Sequence, residues 1–162
     1  MSRKILPSVV ATVSMVAIAL LAVWMQQGLL VPSLGSAVFT QVFSPEEPAA
    51  TPYRVGVGQV IGVAAGFGGV YAAGSAWLPE FTAGHPLVYG RVLAVLIAIP
   101  VCTVLQMAFK ATSPAAGATA LVVALGIETP SWAGCARMLV AIVIATALGE
   151  AGRLLILREK KA

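Results

Sequence analysis

The chain has no aspartate, no asparagine, one histidine, two cysteines and six acidic residues, all glutamate, in 162 positions. These shortages exclude most catalytic chemistry. A nucleophilic serine or cysteine needs a base beside it. The one histidine, His85, falls in a polar connection at 79–86, where solvation is its expected role. Paired carboxylates within an apolar segment are absent, and no phosphate-cradling loop with its lysine occurs. Cys102 and Cys135 both sit inside apolar runs without metal-ligand spacing, which predicts small hydrophobes in helix packing. The expectation is a protein that is not an enzyme and that uses no metal and no cofactor.

Charge is equally scarce. Charged residues make up 10% of the chain and hydrophobic ones 59%, against about a quarter charged in soluble domains. This composition predicts an integral membrane protein in contact with the lipid bilayer. The net charge of +4 gathers at the ends, in Arg3, Lys4, Arg153, Arg158, Lys160 and Lys161. Basic flanks mark the cytoplasmic side of a span. Both termini are therefore expected in the cytoplasm, with an even number of crossings of the cell membrane. The basic tail is too small to suggest a nucleic-acid partner. The apolar run 9–24 exceeds the roughly 7–15 residues of a signal-peptide core, so it reads as a retained first helix.

What the chain does have is proline and glycine at repeated positions. Pro32, Gly35, Glu46 and Pro48 recur as Pro114, Gly117, Glu128 and Pro130, each 82 positions later. Each unit reads as Pro-x-x-Gly, about three helical turns of uncharged apolar residues, then Glu-x-Pro. Long helices are expected over about 6–25, 53–77, 87–109 and 131–157, since a span needs about 20 apolar residues. Short proline-led helices are expected over 33–43 and 115–126. The predicted fold is all-α: four long transmembrane helices and two short ones, broken or re-entrant. They form two long–short–long repeats, approximately 6–78 and 87–157. A short segment that dips and returns would make the copies parallel; one that crosses would make them inverted. Interrupted helices at matching positions favour inversion. Pro100 predicts a kink in the third long helix.

Non-helical backbone at membrane depth is tolerated only where protein buries it or where it lines a wet path. The breaks at 29–34 and 110–116 are the places where chemistry is expected. Each leads into a helix N-terminus, where the first N–H groups lack partners and the dipoles sum to about half a positive charge. Ser33, Ser36, Thr112, Ser113 and Thr119 add hydroxyls, and Gly35, Gly117 and Ala118 leave the approach open. This pattern suits a small inorganic anion. The hydroxyls also have a plain alternative role as helix caps. Gln59 is a polar side chain one turn into a membrane helix and needs a partner. Arg54 and Arg137 open the third segment of each half. They would collect anions at the entrances, or snorkel and pair with Glu46 or Glu128. Gly58, Gly62 and Gly66 share one helix face, which suits close helix packing or a pore wall of bare backbone.

At these residues the chain resembles the HPP family of small integral membrane proteins. Ser113-Pro114-Ala115 stands where the family has His-Pro-Pro, followed by Ala116-Gly117-Ala118-Thr119-Ala120-Leu121. Leu34-Gly35-Ser36-Ala37-Val38, Phe43-Ser44-Pro45 and Pro52 resemble the family's first short segment and its proline-rich exit. Gly58-Gln59 stands where Gly-His is frequent. The family's link to nitrite transport implies a nitrite-like anion pathway. Two family histidines are replaced by Ser113 and Gln59, so no imidazole-dependent proton coupling is implied. The expected function is a small-anion transporter or channel, working as a homo-oligomer. The alternatives are a non-transporting scaffold or sensor subunit and a neutral-solute channel.

Overall fold

Inside a bilayer each backbone N–H and C=O must find its partner within the protein, which leaves helices as the route for so apolar a chain. The computed structural model describes residues 2–24, 31–82, 84–128 and 130–161. These residues form helices α1 (Ser2–Trp24), α2 (Val31–Phe43), α3 (Pro52–Ala72), α4 (Tyr89–Ala108), α5 (Pro114–Ala124) and α6 (Trp132–Lys161). A 3-10 turn, Pro48–Ala50, joins α2 to α3. α1, α3, α4 and α6 are long and apolar enough to cross a membrane; α2 and α5 are shorter. The large side chains that point outward, such as Val13, Leu20, Leu96, Val104 and Val143, are apolar. That surface matches hydrocarbon.

Three helices stop with the same turn, in which the residue past the C-cap takes a left-handed conformation. α3 closes at Gly74 (φ 62°), where Ser75 N–H donates to Val70 O at 2.9 Å. This ends α3 at Ala72, earlier than the expected 77. α5 closes at Gly126 (φ 79°), with Ile127 N–H on Val122 O at 3.3 Å. α4 closes at Lys110 (φ 51°), with Ala111 N–H on Gln106 O at 2.9 Å. α4 itself runs through Pro100 as a continuous helix. α2 starts at Val31, so the first expected break lies partly outside the described residues.

Neighbour contacts fix the direction of each helix. Tyr71, late in α3, donates its hydroxyl to Pro130 O just before α6, at 3.1 Å. Gly56, early in α3, lies against Thr146 of α6, so these two helices are antiparallel. Tyr53 reaches Phe109 O at 3.1 Å, and Gly69 packs on Ala94 and Ala98, which makes α4 antiparallel to α3. Gly58, Gly62 and Gly66 meet Ser113, Thr119 and Val123 in order, so α5 runs parallel to α3. Gly149 lies against Val38 and Gly152 against Val42, so α2 runs parallel to α6. Val10 of α1 also meets Gly152, and Pro7 lines a surface depression with Ile156 and Glu159. α1 is thus antiparallel to α6. Among the described residues the six helices alternate in direction in chain order.

The core follows from these pairings. Ile18, Val38, Val42, Met138 and Ile142 fill the space where α1, α2 and α6 meet. α3, α4 and α5 approach more closely through alanines: Ala65, Ala116 and Ala120 in one cluster, Ala94, Ala98 and Ala124 in the next. At the end shared by α2 and α6, Arg153 Nε donates to Pro45 O at 2.7 Å and Nη1 to Glu150 Oε1 at 3.0 Å.

Candidate functional site

The glycine stripe of α3 is what brings α5 in. A methyl group at Gly58 would stand 2.9 Å from Ala111 O and 3.1 Å from the Ser113 Cβ. At Gly62 it would overlap Ala116 O, and at Gly66 it would stand 2.6 Å from the Val123 Cβ. Backbone therefore meets backbone along the α3–α5 contact. Helices that share hydrocarbon on both sides gain little by burying apolar surface and associate through such close packing.

Next to this stripe lies Gln59, fully buried. Its Nε2 donates to Ser33 O, in the first turn of α2, at 3.3 Å. Its Oε1 accepts the hydroxyl of Thr119, in the second turn of α5. Thr119 Oγ1 also lies 3.1 Å from Ala115 O. Ala37, Val55 and Ala115 pack together just beside this link. The two short helices thus begin at one level of the bundle, lie side by side over their first turns and run in opposite directions. One carboxamide on α3 holds both.

A second polar chain holds the strand of backbone that leads into α5. Gln106 Oε1 accepts the Ser113 N–H at 2.7 Å, and Gln106 Nε2 donates to Cys102 Sγ at 3.2 Å. The Cys102 thiol faces Ala116 O at 3.8 Å. Ser113 itself forms no side-chain cap on α5. Its amide, rather than its hydroxyl, is what the protein fastens.

The expected site residues divide into two groups. Ser33, Gln59, Ser113 and Thr119 are buried and cluster about the crossing of α2 and α5. Gly35 is buried too, but a methyl there would meet Met15 Sδ at 3.1 Å; its small size admits a side chain from α1. Ser36 and Thr112 are exposed, and Ser36 Oγ turns back to Ser33 O at 2.8 Å. Gly117 and Ala118 are half-buried, and a methyl at Gly117 would touch nothing within 4 Å. Arg137 pairs with Glu128 at 3.2 Å. Arg54 is half-buried, while Glu46 pairs with Lys160 at 2.8 Å.

Gln106 and Arg91 carry no expectation from sequence, and Cys102 is expected there only as a small hydrophobe. Gln106 and Thr103 are both polar residues in α4, yet Gln106 is buried and Thr103 exposed. Cys102 serves as a polar link as well as a small hydrophobe. Arg91, in the first turn of α4, is buried by the fold. Only the packing of neighbouring helices distinguishes these positions.

The transmembrane-region model of the HPP family matches residues 1–155. The chain belongs to the HPP family. A search of curated proteins and a search of solved structures each returned no match. In this HPP chain two buried polar positions, one in α3 and one at the start of α5, carry a carboxamide, Gln59, and a hydroxyl, Ser113. Both are buried at the α2–α5 crossing, where Gly58, the neighbour of Gln59, touches Ser113. The chain is a multi-pass membrane protein with four helices able to span.

Proposed function

We propose that this HPP protein passes a small monovalent anion through the bundle at the crossing of α2 and α5. Nitrite is the first candidate, from the family resemblance. The observation that carries the reading is the Gln59 link, which joins the first turn of one short helix to the early turns of the other. The donors there, Thr119 Oγ1 and Gln59 Nε2, are occupied by Gln59 Oε1 and Ser33 O. An anion entering the crossing exchanges those acceptors for itself and gains both donors. The described arrangement is then the closed one. The first-turn amides of both short helices add positive potential. Ser36, Thr112, Gly117 and Ala118 flank the route, and Arg54 and Arg137 lie toward its ends.

We further read the two long–short–long units, approximately 6–78 and 87–157, as inverted copies. The alternating helix directions support this, as does the exchange in which α2 packs on α6 and α5 on α3. The beginning of α1 and the end of α6 share one end of the bundle, which fits two cytoplasmic termini in the cell membrane. A homo-oligomer would give so small a chain more protein around a wet path. Flux of nitrite, nitrate, formate and chloride into vesicles containing the purified protein tests the proposal. A second reading, a scaffold subunit without transport, draws on the mutual satisfaction of Ser33, Gln59 and Thr119. It predicts no flux above protein-free vesicles. A neutral-solute channel predicts permeation that ignores membrane voltage.

A further inference from the structure

Arg91 is buried in the first turn of α4, yet its guanidinium is poorly satisfied. Nε donates to Pro79 O at 3.2 Å and Nη2 to Leu78 O at 2.5 Å, while Nη1 is buried without a hydrogen-bond partner. A guanidinium carries five N–H donors. Arg137, Arg153 and Lys160 each hold a glutamate within salt-bridge distance, and Arg91 holds none among the described residues. Glu80, exposed on the connecting loop, acts on it from farther away.

The surroundings explain how such a charge is kept. The guanidinium lies flat on Gly126, where a methyl would overlap Cζ and both Nη atoms. Gly126 is just past the C-terminal end of α5, where the aligned peptide dipoles sum to about half a negative charge. That end balances the cation only in part. On the other side Leu78 and Pro79, both exposed, hold it through their carbonyls. Among the described residues these two neutral carbonyls are its only hydrogen-bond acceptors.

We propose that Arg91 is a binding site for a small planar oxyanion, at the end of the bundle where α5 terminates. Nη1 supplies two of the unused N–H groups, and the fork of a guanidinium matches two oxygens of a planar anion. The anion displaces Leu78 O and Pro79 O, adding charge attraction and bidentate geometry that two separate neutral carbonyls lack. Nitrite, nitrate and formate fit this geometry; chloride offers one point of contact. The site uses different residues from the Gln59 crossing, so its fate is separate from that of the transport proposal.

Thermal unfolding of the detergent-solubilised protein tests it, with nitrite, nitrate or formate replacing chloride at constant ionic strength. The wild-type protein is expected to show a saturable rise in Tm. Arg91→Lys keeps the charge and loses the fork, and its half-saturating nitrite concentration should rise at least about tenfold, the equivalent of one lost charged hydrogen bond. Glu80→Gln removes the nearby negative charge from an exposed position, and its half-saturating concentration should fall about twofold. Arg91→Gln should lose the rise entirely; if it does not fold, the other two variants decide. No saturable rise in the wild type overturns the proposal. So does an unchanged half-saturating concentration in Arg91→Lys. Binding without nitrite flux removes the transport route and leaves this site standing.

Discussion

Thr119 and Gln59, 60 residues apart, share a buried hydrogen bond that ties α5 to α3. The same carboxamide reaches Ser33 O on α2. Interhelical hydrogen bonds in membranes contribute about 0.6 kcal/mol on average and up to about 1.7. The link is therefore a modest source of stability and a strong source of register. Gln59→Leu is expected to lower stability by about 1 kcal/mol, measured as a shift in the thermal or denaturant midpoint. A loss above about 4 kcal/mol would mean that the bundle depends on this residue for folding, outside the ordinary range for such substitutions.

The glycines of α3 give a sharper contrast. Gly62→Ala drives a methyl into Ala116 O and is expected to cost about 1–3 kcal/mol through overpacking. Gly68→Ala meets nothing within 4 Å and should be neutral, or stabilising by up to about 1 kcal/mol through helix propensity. Midpoints for the two variants check this, and equal effects would contradict the packing described for α3 and α5.

The end shared by α2 and α6 carries a pH prediction. The hydrogen bond and charge of Lys160 hold the Glu46 carboxyl below its ordinary value of 4.5. A carboxyl lowered by folding contributes stability that is present above its unfolded value and is lost as pH falls through the folded one. Stability should therefore decline as pH drops below about 4.5, by an amount that Lys160→Gln reduces. Because the pair is exposed, salt should shrink the difference. Unfolding midpoints from pH 3 to 6, in both proteins, provide the measurement.

Lys110 occupies the left-handed position that closes α4, with φ 51°. Glycine takes that conformation without strain. Lys110→Gly is expected to stabilise the protein by up to about 1 kcal/mol, read from the same midpoints. A destabilised variant would show that the lysine side chain contributes at that turn.

Much of this arrangement was legible in the sequence because proline and glycine punctuate it. Pro52 and Pro114 open helices, and the spacing of Gly58, Gly62 and Gly66 announced a close neighbour, which proved to be α5. α3 ends earlier than the expected 77 because Gly74 takes a left-handed turn that stops the helix, and a glycine in sequence does not declare which conformation it adopts. Hydroxyls were harder. Ser33, Ser113 and Thr119 look alike as caps or ligands in a sequence. Their difference lies in which face Gln59 and Gln106 reach, and that depends on tertiary packing. The burial of Arg91 depends on a connection outside α4's own sequence pattern, Leu78 and Pro79, whose carbonyls hold it.

The central claim is that the Thr119 hydroxyl, beside Gln59, hands an anion across the bundle. Nitrite flux into vesicles containing Thr119→Val, which keeps the shape and removes the hydroxyl, tests it most directly. The account predicts robust flux for the wild-type protein. In the variant it predicts a loss of at least about tenfold, the equivalent of one hydrogen bond to a charged group, in a protein that still folds with stability lowered by about 1–3 kcal/mol. Wild-type flux no greater than that of empty vesicles, or equal flux in Thr119→Val, would contradict it.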